Sequence, residues 1–205
     1  MKAFGVPLLL LFFACGLYAQ RTDALAEYRS GNYEEAVQIC KQELKINPGN
    51  LESHVVICWS LLSLRRYEEC RLYAIAGRTI SRYDPRIIET LGEAYYFQGR
   101  NSEALQYFQE YINLAPQGSR IDIVYYYTGE IFIRLGQYRR ADIALSTAVY
   151  YVPQNAEWWT RLAYARENAG EDAASLTAYE RALSINTNLI DAQRGRSRIR
   201  SALAN

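Results

Sequence analysis

The chain has 205 residues, with 23 Lys and Arg against 22 Asp and Glu and a formal net charge of +1. That balance excludes general binding to the nucleic-acid backbone, which takes a strongly basic surface. A single His, no motif joining nucleophile, base and orienting group, and no phosphate-cradling Gly-rich loop leave catalysis and cofactor chemistry without support.

Residues 1–19 differ in kind from the rest. Lys2 is their only charge, an apolar run extends from Val6 to Ala14, and Gly16-Leu17-Tyr18-Ala19-Gln20 offers a cleavage point after Ala19. This is the pattern of a secretory signal peptide, shorter than a membrane span. Three outcomes stay open: cleavage after Ala19, lipid attachment at Cys15 behind Phe12-Phe13-Ala14, or an uncleaved anchor. Each places the remainder outside the cytosol, at the periplasm or cell envelope. Without residues 1–19 the chain is neutral, because Lys2 leaves and no acid does.

From about residue 20 the chain repeats itself. Ala36, Cys70, Ala104, Ala141 and Ser175 share one register, at spacings of 34, 34, 37 and 34. Gly31, Arg65, Gly99, Gly136 and Gly170 precede them by five positions, and Ala24, Cys58, Gly92, Gly129 and Ala163 by twelve. A period near 34 with two helical stretches per unit predicts a stacked helical array. In chain order the units are residues 20–50, 51–84, 85–118, 121–155 and 156–187. Asn47-Pro48-Gly49-Asn50, Asp84-Pro85 and Ala115-Pro116 punctuate them. Residues 188–205 follow as a capping helix, with Ala192, Gly195, Ile199 and Leu203 on one stripe. Arg194, Arg196, Arg198 and Arg200 surround that stripe, as a solvated outer face or as a contact with anionic lipid or an acidic partner.

The third unit carries Leu91-Gly92, Tyr95, Gly99, Ala104, Phe108 and Pro116; the fourth carries Tyr125, Gly129, Phe132, Gly136, Tyr138, Ala141, Ala148 and Pro153. The fifth has Trp159, Leu162, Ala163, Gly170, Tyr179 and Ala182. On these residues the array resembles the tetratricopeptide repeat family. The first unit departs at Gln20 and Asp23, and the second at Arg65, Cys70 and Arg82. The resemblance implies an all-α, right-handed superhelical solenoid of five helix pairs whose concave face holds a partner. It also implies a non-enzymatic interaction scaffold binding a protein or peptide.

Carried over from the family, the groove-facing positions fall on Tyr28 and Arg29 in unit one and Val55, Trp59 and Leu62 in unit two. Unit three gives Arg86, Glu89, Glu93, Tyr96 and Phe97. Unit four gives Tyr126, Glu130, Ile133 and Arg134, and unit five Tyr164, Glu167 and Asn168. Exposed aromatics on a concave face mark binding sites, because they supply contact area at low entropic cost. Glu89, Glu93 and Glu130 predict an acidic centre, and hence an apolar or aromatic ligand segment carrying a basic residue. A small apolar ligand beside an envelope transporter is the alternative occupant. The family's carboxylate clamp is not matched, since Leu25, Val56 and Thr90 stand at its positions and only Arg21 and Arg86 resemble it.

Cys58 and Cys70 occupy the two helix-crossing positions of unit two. Two readings stay open there: a disulfide, which needs Cα atoms about 4.4–6.8 Å apart, or buried thiols acting, like Cys40, as small fillers. His54, four residues before Cys58, adds a soft-metal alternative that no paired ligand motif supports. Arg outnumbers Lys 20 to 3, read either as planar recognition of carboxylate or phosphate or as genome composition.

Overall fold

A computed structural model describes residues 23–204, which form eleven α-helices with no strand among them. The helices pair as α1 (Ala24–Arg29) with α2 (Tyr33–Ile46), α3 (Leu51–Ser63) with α4 (Tyr67–Ile80), and α5 (Pro85–Phe97) with α6 (Asn101–Leu114). Then come α7 (Ile121–Arg134) with α8 (Tyr138–Tyr151), α9 (Ala156–Asn168) with α10 (Asp172–Ile185), and α11 (Ile190–Leu203). Each first helix also packs on the first helix of the next pair, from α1 through to α11. The expected all-α array of helix pairs is therefore the observed architecture. The signal-peptide reading, the lipid site at Cys15 and Arg21 lie outside the described residues.

The turn inside each pair follows from one backbone device. Gly31, Gly99, Gly136 and Gly170 have φ of 83°, 74°, 67° and 79°, and Arg65 joins them at 60°. At each site two amides close back on the helix, as in Gly99 N–H to the Tyr96 carbonyl at 3.1 Å and Arg100 N–H to Tyr95 at 2.9 Å. This closure satisfies carbonyls that a helix end otherwise leaves bare. The second unit closes in the same way, with Arg65 N–H to the Leu62 carbonyl and Arg66 N–H to Leu61, but Arg65 holds a Cβ in a region that disfavours one.

First helices begin on Asx caps. Asp23, Asn50, Asp84 and Asn155 each accept a bond from a first-turn amide. Within the five pairs the exception is α7, whose N-cap is Arg120 with no side-chain cap bond. It follows the stretch that lengthens one spacing to 37. That loop turns on Gly118, where a Cβ would collide with the Tyr111 hydroxyl, and the same hydroxyl accepts the Arg120 amide at 3.2 Å.

Small residues set how closely paired helices approach. A Cβ on Gly92 would run into the Phe108 ring, and one on Gly129 would lie 2.5 Å from Leu145 Cγ. At the crossing of α9 and α10, Ser175 Oγ donates to the Ala163 carbonyl at 2.9 Å. Unit two uses sulfur in that place. Cys58 Sγ donates to the Cys70 carbonyl at 3.6 Å, and Cys40, Cys58 and Cys70 are all free, buried thiols. The disulfide reading is thereby corrected: close approach is achieved by thiols filling a tight crossing, not by a bond. Burial pushes the Cys40 thiol up to about 12 and the Cys58 thiol well above its ordinary value, so both stay protonated. His54 is likewise structural, with Nδ1 3.1 Å from the Tyr73 carbonyl and Nε2 3.1 Å from the Pro48 carbonyl.

The last helix covers the edge of the fifth pair. Ala192, Gly195 and Ile199 are buried, and Gly195 lies so close on the Tyr179 ring that a Cβ could not fit. Leu203 is 52% exposed and does not extend the buried stripe as expected. Glu167 accepts from the Tyr179 hydroxyl at 2.6 Å and from Arg198 at 2.8 and 2.9 Å, tying α9, α10 and α11 together. Arg200 pairs with Glu180 at 2.7 Å. Two of the four arginines around the stripe are thus engaged within the fold.

Candidate concave binding groove

Consecutive first helices bring side chains one unit apart in sequence onto one face. Tyr28 from α1 and Trp59 from α3 meet with ring centroids 5.6 Å apart. Leu62 lies one turn on, and Phe97 from the end of α5 stacks at 4.8 Å on Tyr67. Together with Arg86, Glu89, Glu93 and the loop residues Ala115, Gly118, Ser119 and Arg120, these border a cavity of about 590 Å³. Such a volume suits a side-chain cluster or a small molecule.

The predicted groove residues divide into two groups. Tyr28, Trp59, Leu62, Glu93 and Phe97 line the cavity, as do Arg86 and Glu89. Arg29 is exposed on the last turn of α1, outside the lining. Tyr96 is only 6% exposed, against 41% for Phe97. Its ring packs 4.4 Å from Tyr127 and lies under the Arg134 guanidinium, centred 4.1 Å away. Tyr96 is therefore a packing residue between α5 and α7, which corrects its placement at the centre of the groove. Val55 is fully buried, for the same reason. Tyr126 stacks on Trp158 at 4.8 Å, further along the stack, and Tyr164 meets Tyr138 edge-on. Arg134, besides covering Tyr96, donates to its carbonyl at 3.3 Å. Burial raises the Tyr96 and Tyr126 hydroxyls above their ordinary titration range.

The acidic centre also differs from expectation. Glu89, Glu93 and Glu130 are buried, at 3%, 5% and 9% exposure. Each faces an arginine. Arg161 grips Glu130 with Nε–Oε1 at 2.6 Å and Nη2–Oε2 at 3.0 Å. Arg120 instead divides itself, giving Nε to Glu89 at 3.0 Å and Nη2 to Glu93. The physical reason is desolvation: a buried carboxylate without a cation is costly. Even so, Glu89 stays well above the ordinary carboxylate range, pushed there by burial and by the neighbouring Glu93.

Arg120 and the loop before α7 are the parts of the cavity lining that the repeat pattern alone does not point to. Their one sequence signal is the lengthened spacing between Ala104 and Ala141. Extra residues there replace the Asx cap of α7 with an arginine that reaches back to α5. Among the described residues no group of three or more His, Cys, Asp and Glu side chains is arranged to hold a metal ion.

A family model described as Tetratricopeptide repeat matches residues 21–126, and a second of the same description matches residues 128–204. The BBSome complex member BBS4 homolog of Drosophila melanogaster is 27% identical over 148 residues, which is 68% of this chain and 30% of that protein. The chain thus spans less than a third of that relative. Among solved structures, Pseudomonas aeruginosa PilF superposes with a TM-score of 0.75 at 14% identity, covering 88% of this chain and 81% of PilF. YrrB, a TPR protein with an unusual peptide-binding site, superposes at 0.70 and 13% identity, covering 85% of this chain and 88% of YrrB. At such identities the likeness is one of fold.

Proposed function

This chain belongs to the tetratricopeptide repeat family, and we propose that it is a non-enzymatic interaction scaffold whose concave groove holds a peptide segment of a partner protein. The observation that carries this reading is the half-open aromatic cavity made by Tyr28, Trp59, Leu62 and Phe97. The packing of the stack uses Tyr96, Tyr127 and Phe108, whereas Trp59 and Phe97 keep a face toward solvent. Rings left so at a concave surface gain most by covering a partner's apolar side chains. YrrB, which shares the fold, has a peptide-binding site of its own.

The scaffold acts at the cell envelope in this reading. Support comes from the charge-poor, apolar start of the chain, with cleavage after Ala19 or a lipid anchor at Cys15. No helix among the described residues is long and apolar enough to cross a membrane. Contact of the Arg-rich last helix with anionic lipid rests on Arg194 and Arg196, since Arg198 and Arg200 are paired.

The test is peptide-array binding by the full chain and by the Trp59→Ala/Phe97→Ala variant. Both side chains are partly exposed, so the variant should keep its helical content. Binding that survives the double substitution moves the interface away from the groove. A cavity of about 590 Å³ also fits a small apolar molecule. Mass spectrometry of an organic extract of the native protein decides for that second occupant if it releases a bound compound.

A further inference from the structure

The charges at this cavity are not paired one for one, unlike the bridges between the last three first helices. Arg161 and Arg198 each clasp a single glutamate through two bonds. Arg120, by contrast, is the one guanidinium serving both Glu89 and Glu93 at the cavity floor. At the rim Arg86 is shared between Asp84 and Glu52, with bonds of 2.8 Å to each. The charged side chains that line the cavity are Arg86, Glu89, Glu93 and Arg120, with Asp84 and Glu52 just outside the lining. Each of its two cations therefore faces two carboxylates. Beside them stand the π faces of Tyr28, Trp59 and Phe97, which attract a cation that approaches over the ring.

We infer that the groove is built for a segment presenting a basic side chain, Lys or Arg, to Glu89 and Glu93, next to an apolar or aromatic residue against Trp59 and Phe97. The inference rests on the peptide-binding reading of the groove and adds the chemistry of its ligand. The incoming cation supplies the second positive charge that two adjoining buried carboxylates lack. Burial and the neighbouring Glu93 also raise the titration of Glu89. This is the opposite polarity to a carboxylate clamp, which sets cations on the protein and the anion on the ligand.

A random peptide library selected on the immobilised full chain tests it, run in parallel on Trp59→Ala/Phe97→Ala. Enriched peptides are then resynthesised with each Lys or Arg replaced by norleucine, and binding is read by fluorescence anisotropy. Expected are sequences with a basic residue beside an aromatic or aliphatic one, losing affinity about tenfold or more on the replacement. Glu93→Gln, and separately Glu89→Gln, should erase that difference while circular dichroism shows intact helices. Should one variant fail to fold, the replacement series on the unsubstituted protein still decides. Enriched peptides that carry no basic residue, or that bind equally with norleucine, overturn the cation and leave the groove standing. Enrichment unchanged in the aromatic double variant, or absent altogether, overturns the groove reading and this inference together.

Discussion

Arg161 on α9 and Glu130 on α7 stand 31 positions apart and face each other fork to fork. The same separation joins Arg198 to Glu167 and Arg120 to Glu89. Consecutive first helices are thus linked by a row of carboxylate–guanidinium bridges along the stack. The 20-to-3 preference for Arg over Lys has a use here, because a planar fork makes two parallel bonds where an ammonium gives a point charge.

Removing one rung should loosen the stack. Arg161→Met leaves Glu130 buried with no cation. Because Arg161 is itself about a third exposed, the expected loss is modest, about 1–2 kcal/mol. Urea denaturation checks it, and an unchanged midpoint would show that the bridge contributes nothing net.

The close crossings should tolerate no side-chain growth. Gly92→Leu meets the Phe108 ring and Gly129→Leu meets Leu145. Each is expected to destabilise by about 1–3 kcal/mol or more through overpacking. Thermal melts followed by circular dichroism read this directly; a wild-type melting temperature in both would refute the packing described.

Arg65 invites the reverse experiment. Its φ of 60° stands where the other pairs use Gly, and its side chain is exposed. Arg65→Gly should stabilise by up to about 1 kcal/mol, the relieved left-handed strain being partly offset by a more flexible unfolded chain. A lower melting temperature in the variant would mean that the arginine makes a compensating contact.

Glu89 predicts a pH dependence. Its folded titration lies above the ordinary carboxylate range. The folded state therefore binds more protons than the unfolded state between those two values, and stability falls as pH rises through that window. Melting temperatures measured across a pH series should decline more for the wild type than for Glu89→Gln. Parallel curves would show that Glu89 titrates normally.

Truncation before residue 188 should expose Tyr179 and Leu183, which pack beneath α11 in the buried cluster of the last pair. An uncovered apolar end in a stacked array favours self-association. Size-exclusion chromatography should show aggregates for the truncated chain, and a monodisperse monomer would mean that α11 protects nothing.

The repeat register was enough to read the helix pairs, their turns and their crossings. These depend on local requirements: Gly31 and Gly99 for a left-handed turn, Gly92 and Gly129 for close helix approach, Asn50 and Asp84 for a helix start. Each is a property of one position and its neighbours, so the spacing of residue types carries it. The position of Trp59 and Phe97 on the cavity wall was legible for the same reason, since a first-helix position recurs with the period.

What the period could not assign was the partner of each charge and the face of each ring. Tyr96 and Phe97 are adjacent in sequence, yet one is sealed between Tyr127 and Arg134 while the other stays open. Glu89 and Glu93 read as a free acidic surface until Arg120, delivered by a loop that breaks the repeat, pairs with both. Cys58 and Cys70 meet at a crossing, but sulfur points to a carbonyl. Local conformational preference is encoded residue by residue, whereas desolvation and ion pairing depend on which distant groups the superposed helices bring together.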